Sequence, residues 1–381
     1  MSNPHASPLP VMKTNLLGKT RGELEAFIES IGEKPFRARQ LMKWLYKRQV
    51  GDFDLMTDLA KSFRERLKEI AEIRTPQIRM TQVSSDGTRK WLLAMEGAAK
   101  TAADQAIEMV FIPEPGRGTL CISSQVGCAM DCTFCSTAQQ GFNRNLTVAE
   151  IVGQVWLANR ELGYEHGGNR VITNVVFMGM GEPLANYRSI VPAAEIFMDD
   201  LGFDISRRRV TVSTSGLVPQ MLKLAEETNC ALAVSLHAPN DTLRDELVPI
   251  NRKHKIAELL DACWQYVEKQ NARGITFEYV MLDGVNDHPE HAYELAQLLR
   301  GRPGKVNLIP FNPFPGTSYR RSSAVAIDRF RDILNTNGVI ATTRRTRGDD
   351  IDAACGQLVG RVQDRTTVRL GSKVFSVAVQ S

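Results

Sequence analysis

The 381-residue sequence has no long apolar run and no large excess of charge of one sign. A transmembrane helix needs about 18 or more apolar residues in succession, which no stretch supplies. The first ten residues contain three prolines and lack the apolar core of a signal peptide. The 47 Lys and Arg residues nearly balance the 43 Asp and Glu residues, so the net charge of +4 does not by itself indicate nucleic-acid binding. We therefore expect a cytoplasmic protein that does not bind membranes.

The sequence also lacks internal repeats, low-complexity segments and an even number of cysteines. Its seven cysteines fit no disulfide framework. Hydrophobic residues at 43% and charged residues at 24% are typical of a soluble globular protein. The length allows two or three domains, or one barrel with an appendage.

The most informative pattern is a group of three closely spaced cysteines, Cys128, Cys132 and Cys135. A structural zinc site and an electron-carrying iron–sulfur cluster both use four protein ligands. A fourth ligand is missing nearby, so the spacing favours a 4Fe-4S cluster that keeps one iron open for a substrate. Three buried structural thiols are the less favoured alternative, because clustered thiols in a cytosolic chain usually bind metal. With Phe134 before the last cysteine, the CxxxCxxC spacing resembles that of the radical S-adenosylmethionine (SAM) enzymes.

The first part of the chain is predicted to be helical after a flexible tail of residues 1–14. Apolar residues recur at three- and four-residue steps from Arg21, in a second helix opened by Pro35, and from about Thr57 to Ile70. The second helix carries basic residues on one face: Arg39, Lys43 and Lys47. A solvated helix face and a phosphate-binding surface both explain them, and charge alone favours the solvated face.

A shorter period after Pro76 predicts β-strands. Strands Ile78–Val83 and Thr88–Met95 form a hairpin with a turn at Asp86-Gly87, and a further strand runs over Ala106–Ile112. We therefore predict an accessory domain at 15–100, a core at 101–345 and a C-terminal segment at 346–381.

From Thr119 onward apolar strands alternate with helices, which predicts an α/β fold with a parallel sheet. The six strands are Leu120–Ser124, Val171–Met178, Arg209–Ser213, Ala231–Leu236, Ile275–Met281 and Lys305–Ile309, and the helices include Val148–Leu162, Ile190–Leu201, Ile256–Gln270 and His291–Leu299. We therefore predict a partial (β/α)6 barrel, next to an accessory domain that consists of helices and a small β-sheet. Chemistry in such folds lies beyond the carboxyl ends of the strands.

Candidate ligand-binding residues follow several of these strands. Gly181 and Glu182 could hold an ammonium group, although a tight turn explains them as well. Ser213 and the Ser235-Leu236-His237 stretch could bond a ribose and a carboxylate, with helix capping and a structural histidine as alternatives. Asn312, in a proline-braced loop, could read an adenine edge.

Cys355 lies between small residues in a polar stretch bounded by glycine, which predicts a mobile, accessible loop. Arg344, Arg345 and Arg347 could lower its pKa or meet phosphates. A nucleophile and an incidental free cysteine are equally supported by the spacing alone. Cys230 and Cys263 lie in apolar patterns and are assigned to packing.

Taken together, these motifs resemble the RlmN family of dual-specificity RNA methyltransferases. The resemblance runs from about the second predicted helix to Gln357. It includes Gln125-Val-Gly-Cys128, the stretch from Cys135 to Arg144, Met178-Gly-Met-Gly-Glu182, Ser235-Leu-His-Ala-Pro-Asn240 and Gly348-Asp-Asp-Ile-Asp-Ala-Ala-Cys355. It implies a radical SAM barrel in which Cys128, Cys132 and Cys135 bind the 4Fe-4S cluster, and an accessory domain at 15–100 that binds RNA. The residues implied to bind SAM are Gly181, Glu182, Ser213, Ser235, Leu236, His237 and Asn312.

The resemblance further implies methyl transfer to C2 of an adenine in 23S rRNA and in tRNA beside the anticodon, with two SAM molecules per turnover. One SAM methylates the thiolate matching Cys355, and a radical made from the second takes hydrogen from that S-methyl group. The methylene radical adds to the adenine, and Cys121 then forms a disulfide with Cys355 to free the product. Glu108 matches the residue that accepts a proton.

No flavin or second-cluster motif is present, so we expect an external electron donor such as flavodoxin, and a monomer. Two alternatives remain open from the sequence. The first is the related class of enzymes that methylate adenine C8. The second is a non-catalytic RNA-binding protein with a structural metal.

Overall fold

The structure is a computed structural model that describes residues 13–95, 105–362 and 364–366. The strands are β1 (Thr14–Asn15), β2 (Ala71–Glu72), β3 (Gln77–Val83), β4 (Arg89–Ala94), β5 (Ala106–Glu114), β6 (Arg117–Cys121), β7 (Gln125–Gly127), β8 (Phe142–Asn145), β9 (Asn174–Phe177), β10 (Val210–Thr214), β11 (Ala231–Ser235), β12 (Ile275–Met281), β13 (Gly304–Pro310) and β14 (Ile340–Thr343). The helices are α1 (Arg21–Ser30), α2 (Phe36–Met42), α3 (Lys61–Ile70), α4 (Ser136–Gln139), α5 (Val148–Glu161), α6 (Tyr187–Met198), α7 (Val218–Glu227), α8 (Asp241–Leu247), α9 (Ile256–Gln270), α10 (Pro289–Leu299) and α11 (Ala324–Thr336).

Ten of the described strands form one sheet, in the order β14-β13-β12-β11-β10-β9-β6-β5-β4-β3. The strands from β6 through β9 to β14 are parallel, and β3, β4 and β5 are antiparallel. The order does not close on itself, which agrees with an incomplete barrel. The predicted fold class is confirmed.

Several elements differ from the sequence prediction. The predicted hairpin forms, but β3, β4 and β5 extend the main sheet, because β5 pairs with β6. A seventh parallel strand, β14, was not predicted, nor was the small sheet of β7 and β8. Helix α3 begins at Lys61 rather than Thr57, after a 3-10 turn at Phe53–Leu55. Of the predicted tail, residues 1–12 lie outside the described residues, and Thr14 begins β1.

Local sequence explains where the helices begin. Thr20 accepts a hydrogen bond from the Glu23 backbone N–H while the Glu23 side chain accepts one from Thr20, and Thr147 and Glu150 repeat this arrangement at α5. Such capping boxes satisfy backbone donors that the helix leaves unpaired. No helix in the described ranges combines the length and the apolar character that crossing a bilayer requires.

One hydrophobic core joins the N-terminal helices to the sheet and includes Leu24, Phe63, Val152, Val212 and Phe330. A smaller apolar cluster contains Phe134, Leu247, Val280 and Phe311 beside the cysteine loop.

Candidate active site

The carboxyl ends of the parallel strands meet at one edge of the sheet, as expected, and two adjoining cavities lie there. The larger cavity, of about 170 Å³, is lined by Cys128, Cys132, Cys135 and most of the residues predicted to bind SAM. The smaller one, of about 30 Å³, is lined by Cys121 and Asn312. Cys355 and Arg344 line both cavities. Cys355 therefore lies at the junction between the cysteine loop and Cys121.

The small sheet of β7 and β8 closes the cysteine loop at both ends. The Cys128 N–H donates to the Gly141 carbonyl over 2.8 Å, and the Cys135 N–H donates to the Cys132 carbonyl over 3.2 Å. Gly127 has a φ of 80°, and a Cβ there would lie 2.0 Å from the Gly141 oxygen. Glycine is therefore required at the entry to the loop.

Burial raises the pKa of all three loop cysteines, and mutual repulsion raises it further in Cys132, where the charges of Cys135 and Cys128 contribute. Three buried cysteines that repel one another as thiolates are stabilised by a strongly positive partner. A metal centre is such a partner, because coordination deprotonates a thiol. No three His, Cys, Asp or Glu side chains of the described ranges could hold a metal ion as they stand. A 4Fe-4S cluster is several atoms across, so its thiolate ligands lie farther apart than the ligands of one ion. The donor set fits such a cluster.

Glu182 and Gly181 lie against β7. The Glu182 carboxylate is buried; one oxygen accepts from the Leu184 N–H (3.0 Å) and the other from the Ser215 N–H (2.8 Å) and hydroxyl (2.9 Å). Burial raises the pKa of Glu182, although the Ser215 N–H opposes this. Gly181 has a φ of 101°, and a Cβ there would lie 2.5 Å from the Gln125 Cβ. Glycine at position 181 therefore allows its backbone to lie close to Gln125. Glu182 lines the larger cavity.

Ser213, Ser235 and His237 also line the larger cavity, whereas Leu236 is fully buried in the core. His237 has a φ of 59°, and its Nδ1 accepts a hydrogen bond from the Val280 N–H over 3.0 Å. Burial, and then the charge of Arg244, lower the pKa of His237 to about 3. The ring is therefore neutral near pH 7 with its proton on Nε2, which makes His237 a hydrogen-bond donor.

The Asn312 amide is engaged by the C-terminal segment. Its Nδ2 donates to the Cys355 carbonyl over 3.4 Å, and its Oδ1 accepts from Arg321 over 2.7 Å. Asn312 thus contacts the segment that carries Cys355, and its predicted role in reading adenine stays a prediction.

Cys355 differs from the exposed loop that the sequence predicted. It is half-buried, and the neighbouring Ala354 is buried. The Ser136 N–H, at the start of α4, donates to the Gly356 carbonyl over 2.9 Å. The segment is held more tightly than its small residues suggested, because Ala353 and Leu358 belong to the main hydrophobic core and the Gln357 side chain donates to the Pro313 carbonyl over 3.1 Å.

Cys121 ends β6, and its thiol is buried. Burial raises the pKa of Cys121 to about 12, the negative charge of Cys355 adds to this, and Arg344 opposes it. All seven cysteines are free thiols, so the disulfide implied between Cys121 and Cys355 is not formed here.

Glu108 lies on β5, on the same face of the strand as Val110 and Ile112, which line the smaller cavity. Its carboxylate is buried. It pairs with Lys90 and accepts a hydrogen bond from the Val359 N–H over 3.0 Å.

Three further charged residues lie at this edge. Arg244 and Glu278 were not predicted from the sequence, and Arg344 was predicted to lower the pKa of Cys355 or to meet phosphates. The buried Arg244 of α8 donates to the carbonyls of Ser215 (2.6 Å), Ser235 (3.0 Å) and Leu236 (3.0 Å). Glu278 of β12 is buried and accepts from Asn307 over 2.8 Å. The charge of a Cys355 thiolate raises the pKa of Arg344, and Glu278 contributes to the same effect. No local pattern marks Arg244 or Glu278, because their partners lie on other strands.

Comparison with known proteins is consistent across the chain. Residues 14–73 match the family described as the ribosomal RNA large subunit methyltransferase N-terminal domain, and residues 122–296 match the radical SAM superfamily. A dual-specificity RNA methyltransferase RlmN from Marinobacter nauticus is 56% identical over 355 residues, which is 93% of this chain and 95% of the relative. The crystal structure of a radical SAM methyltransferase from Sphaerobacter thermophilus is 44% identical with a TM-score of 0.83, covering 91% of this chain and 99% of that chain.

Proposed function

This chain belongs to the RlmN family of radical SAM RNA methyltransferases, and from that premise we propose that it methylates C2 of an adenine in 23S rRNA and in tRNA beside the anticodon, through a methylated cysteine. The observation that carries the proposal is the position of Cys355. It lines the cavity of the three loop cysteines and also the cavity of Cys121, so one sulfur faces both of the partners that the reaction needs.

Each part of the larger cavity has a role in this proposal. Cys128, Cys132 and Cys135 hold a 4Fe-4S cluster, and the Glu182 carboxylate together with the Gly181 backbone orients the amino group of SAM. The hydroxyls of Ser213 and Ser235 make no hydrogen bond to another described residue, so both are free to bond SAM, and His237 offers its Nε2 proton. When bound, the cluster and two molecules of SAM per turnover would supply the methyl group and the radical chemistry that the unactivated C2 position requires.

The chain's own residues then carry and release the product. Cys355 holds the methyl group as a thioether and becomes covalently joined to the RNA. The Cys121 thiol gives up its proton as its sulfur bonds to the Cys355 sulfur, and the electron pair of the bond between Cys355 and the RNA-borne carbon stays with that carbon. The carbon then takes up a proton and becomes the methyl group, while Cys121 and Cys355 are left as a disulfide. Glu108 lies on β5 beside Val110 and Ile112 of the smaller cavity, and it accepts the proton lost from C2.

The N-terminal helices supply a surface for the RNA. Lys34, Arg39 and Lys43 are exposed beside the exposed ring of Phe36, whereas Lys47 pairs with Asp204 over 3.0 Å. Lys34, Arg39 and Lys43 form no ion pair with another described residue, and we propose that these three cations contact phosphates of the RNA. We further propose a cytoplasmic monomer that receives electrons from an external donor such as flavodoxin.

The comparisons give no support to methylation of adenine C8, and the similarity over 93% of the chain favours an enzyme over a non-catalytic RNA-binding protein. An assay on unmodified 23S rRNA and tRNA with SAM that carries three methyl deuterons tests the proposal. Mass spectrometry of the digested RNA should find the methyl group at C2, with at least one of the three deuterons lost. A methyl group at C8, or one that retains all three deuterons, contradicts it.

A further inference from the structure

A buried ion pair outside the two cavities links the antiparallel part of the sheet to the segment of Cys355. Lys90 of β4 and Glu108 of β5 approach within 3.3 Å between Nζ and Oε1, and both side chains are only 6% exposed. A buried ion pair commonly adds no net stability over a well-packed apolar pair, because desolvating two charges is costly. Its presence here therefore calls for a reason other than stability.

Both partners of the pair also bond to the backbone of the C-terminal segment. Lys90 Nζ donates to the Asp352 carbonyl over 3.2 Å, and Glu108 Oε2 accepts from the Val359 N–H over 3.0 Å. Asp352 precedes Cys355 by three residues, and Val359 follows it by four. One ion pair thus holds the loop on both sides of the reactive cysteine.

The other side of the same loop contacts α4, which directly follows the cysteine loop. The Ser136 N–H donates to the Gly356 carbonyl, and the Thr137 hydroxyl donates to the Leu358 carbonyl over 2.8 Å. The segment that carries Cys355 is therefore bonded to the ion pair on one side and to α4 on the other. Loss of one anchor frees the sulfur to move relative to both cavities.

We propose that the Lys90–Glu108 pair is a latch that sets the position of the Cys355 loop, and that Lys90 is a positioning residue for methyl transfer. The proposal rests on the proposed role of Cys355 as the methyl carrier. It gives Lys90 a role in the reaction without contact to SAM or RNA, and it adds an anchoring role to Glu108. A displacement of about 1 Å at a reacting atom costs on the order of 100-fold in rate, so a loose latch is expected to reduce kcat by about that factor.

The test compares Lys90→Met with Lys90→Arg in the cluster-loaded full chain. Lys90→Met should speed amide hydrogen exchange in the peptide that spans residues 353–359 at least about 10-fold, while amides in β10 and β12 exchange as before. It should lower kcat with the dissociation constant of SAM unchanged, because the SAM residues lie on other strands. Lys90→Arg keeps the charge and the N–H donors, so it should restore slow exchange and most of the kcat. Lys269→Met, which removes an exposed partner of Glu226, is the matched control and should change neither quantity.

Unchanged exchange in residues 353–359 of folded Lys90→Met overturns the latch. If that variant does not fold because Glu108 is left charged and unpaired, the double variant Lys90→Met and Glu108→Met removes both charges and takes its place in the exchange measurement. The unmodified protein gives a second test, since the Val359 amide should exchange as slowly as amides of β5, and exchange at the rate of an open peptide also refutes the proposal. Neither exchange measurement depends on methyl transfer, so the latch and the proposed function can fail separately.

Discussion

At the scale of single residues, the same side chain type performs different tasks according to its surroundings. Cys230 and Cys263 are buried in the core and serve packing. Cys121 is buried too, but it ends β6 at the active edge and lines a cavity with Cys355. Position at a strand end, rather than burial, distinguishes the cysteine that we propose reacts from the two that pack the core.

The two cysteines of the smaller cavity should give opposite phenotypes. Cys355→Ala removes the sulfur that we propose carries the methyl group, so RNA methylation should fall to background while SAM still binds. Cys121→Ala leaves the proposed carrier but removes the proposed releasing group, so protein should stay covalently attached to RNA. Denaturing gels with labelled RNA distinguish the two outcomes.

Cys263→Ala is the control for these variants, because Cys263 lies in the core away from both cavities; it should leave no covalent complex. Two results would contradict the assignment. One is methylation by Cys355→Ala above background, and the other is free RNA alone in the gel of Cys121→Ala.

At the scale of elements, the apolar strands could be predicted because each buries a continuous run of side chains. Strand β14 was not predicted, because only Ile340 and Ala341 of its four residues are apolar and two threonines follow them. The pairing of β7 and β8 was also missed, since it depends on the backbone freedom of Gly127 and Gly141 rather than on apolar content.

The candidate site, too, could be predicted only in part. The spacing of the three cysteines and the motifs at strand ends identified its main residues, because these lie in short contiguous stretches. The anchoring of Cys355 could not be predicted, since Lys90 and Asp352 are 262 residues apart along the chain. Arg244 was not predicted to contribute, because the carbonyls to which it donates lie at the ends of two different strands.

Helix α8 contributes to the site through Arg244, which joins the ends of β10 and β11. Burial lowers the pKa of Arg244 to about 10, so it is still charged near pH 7, and its N–H groups bond to carbonyls of or beside residues that we propose bind SAM. Arg244→Met fills a similar volume but leaves those carbonyls without donors. We expect a loss of about 3 kcal/mol in the free energy of unfolding, together with weaker SAM binding.

Urea unfolding and SAM titration measure the two effects. Arg331→Met is the control, because Arg331 forms only exposed ion pairs with Asp328 and Asp332 and should change neither quantity. Stability and SAM affinity equal to those of the unmodified chain would show that Arg244 does not organise the strand ends.

At the scale of the whole molecule, the helices of the N-terminal accessory domain and the barrel share one core. The Trp156 indole N–H of α5 donates to the Leu45 carbonyl over 3.0 Å, and the Tyr164 hydroxyl donates to the Lys47 carbonyl over 3.0 Å. A Cβ at Gly18 would lie 2.4 Å from the Ala149 nitrogen, so the two parts are in close backbone contact. Such packing couples the N-terminal helices, which we propose contact the RNA, to the core that carries the three loop cysteines.

This shared core predicts that the chain unfolds as one unit. Calorimetry should show a single transition whose calorimetric and van't Hoff enthalpies agree. Trp156→Phe removes only the N–H that bonds to Leu45, so it should lower the free energy of unfolding by about 1 kcal/mol and move the whole transition to lower temperature. Trp264→Phe is the matched control, because the Trp264 indole N–H makes no hydrogen bond among the described residues. If Trp156→Phe instead splits the transition in two, the N-terminal helices are an independent domain, and their packing against α5 does not couple the RNA-binding surface to the active site.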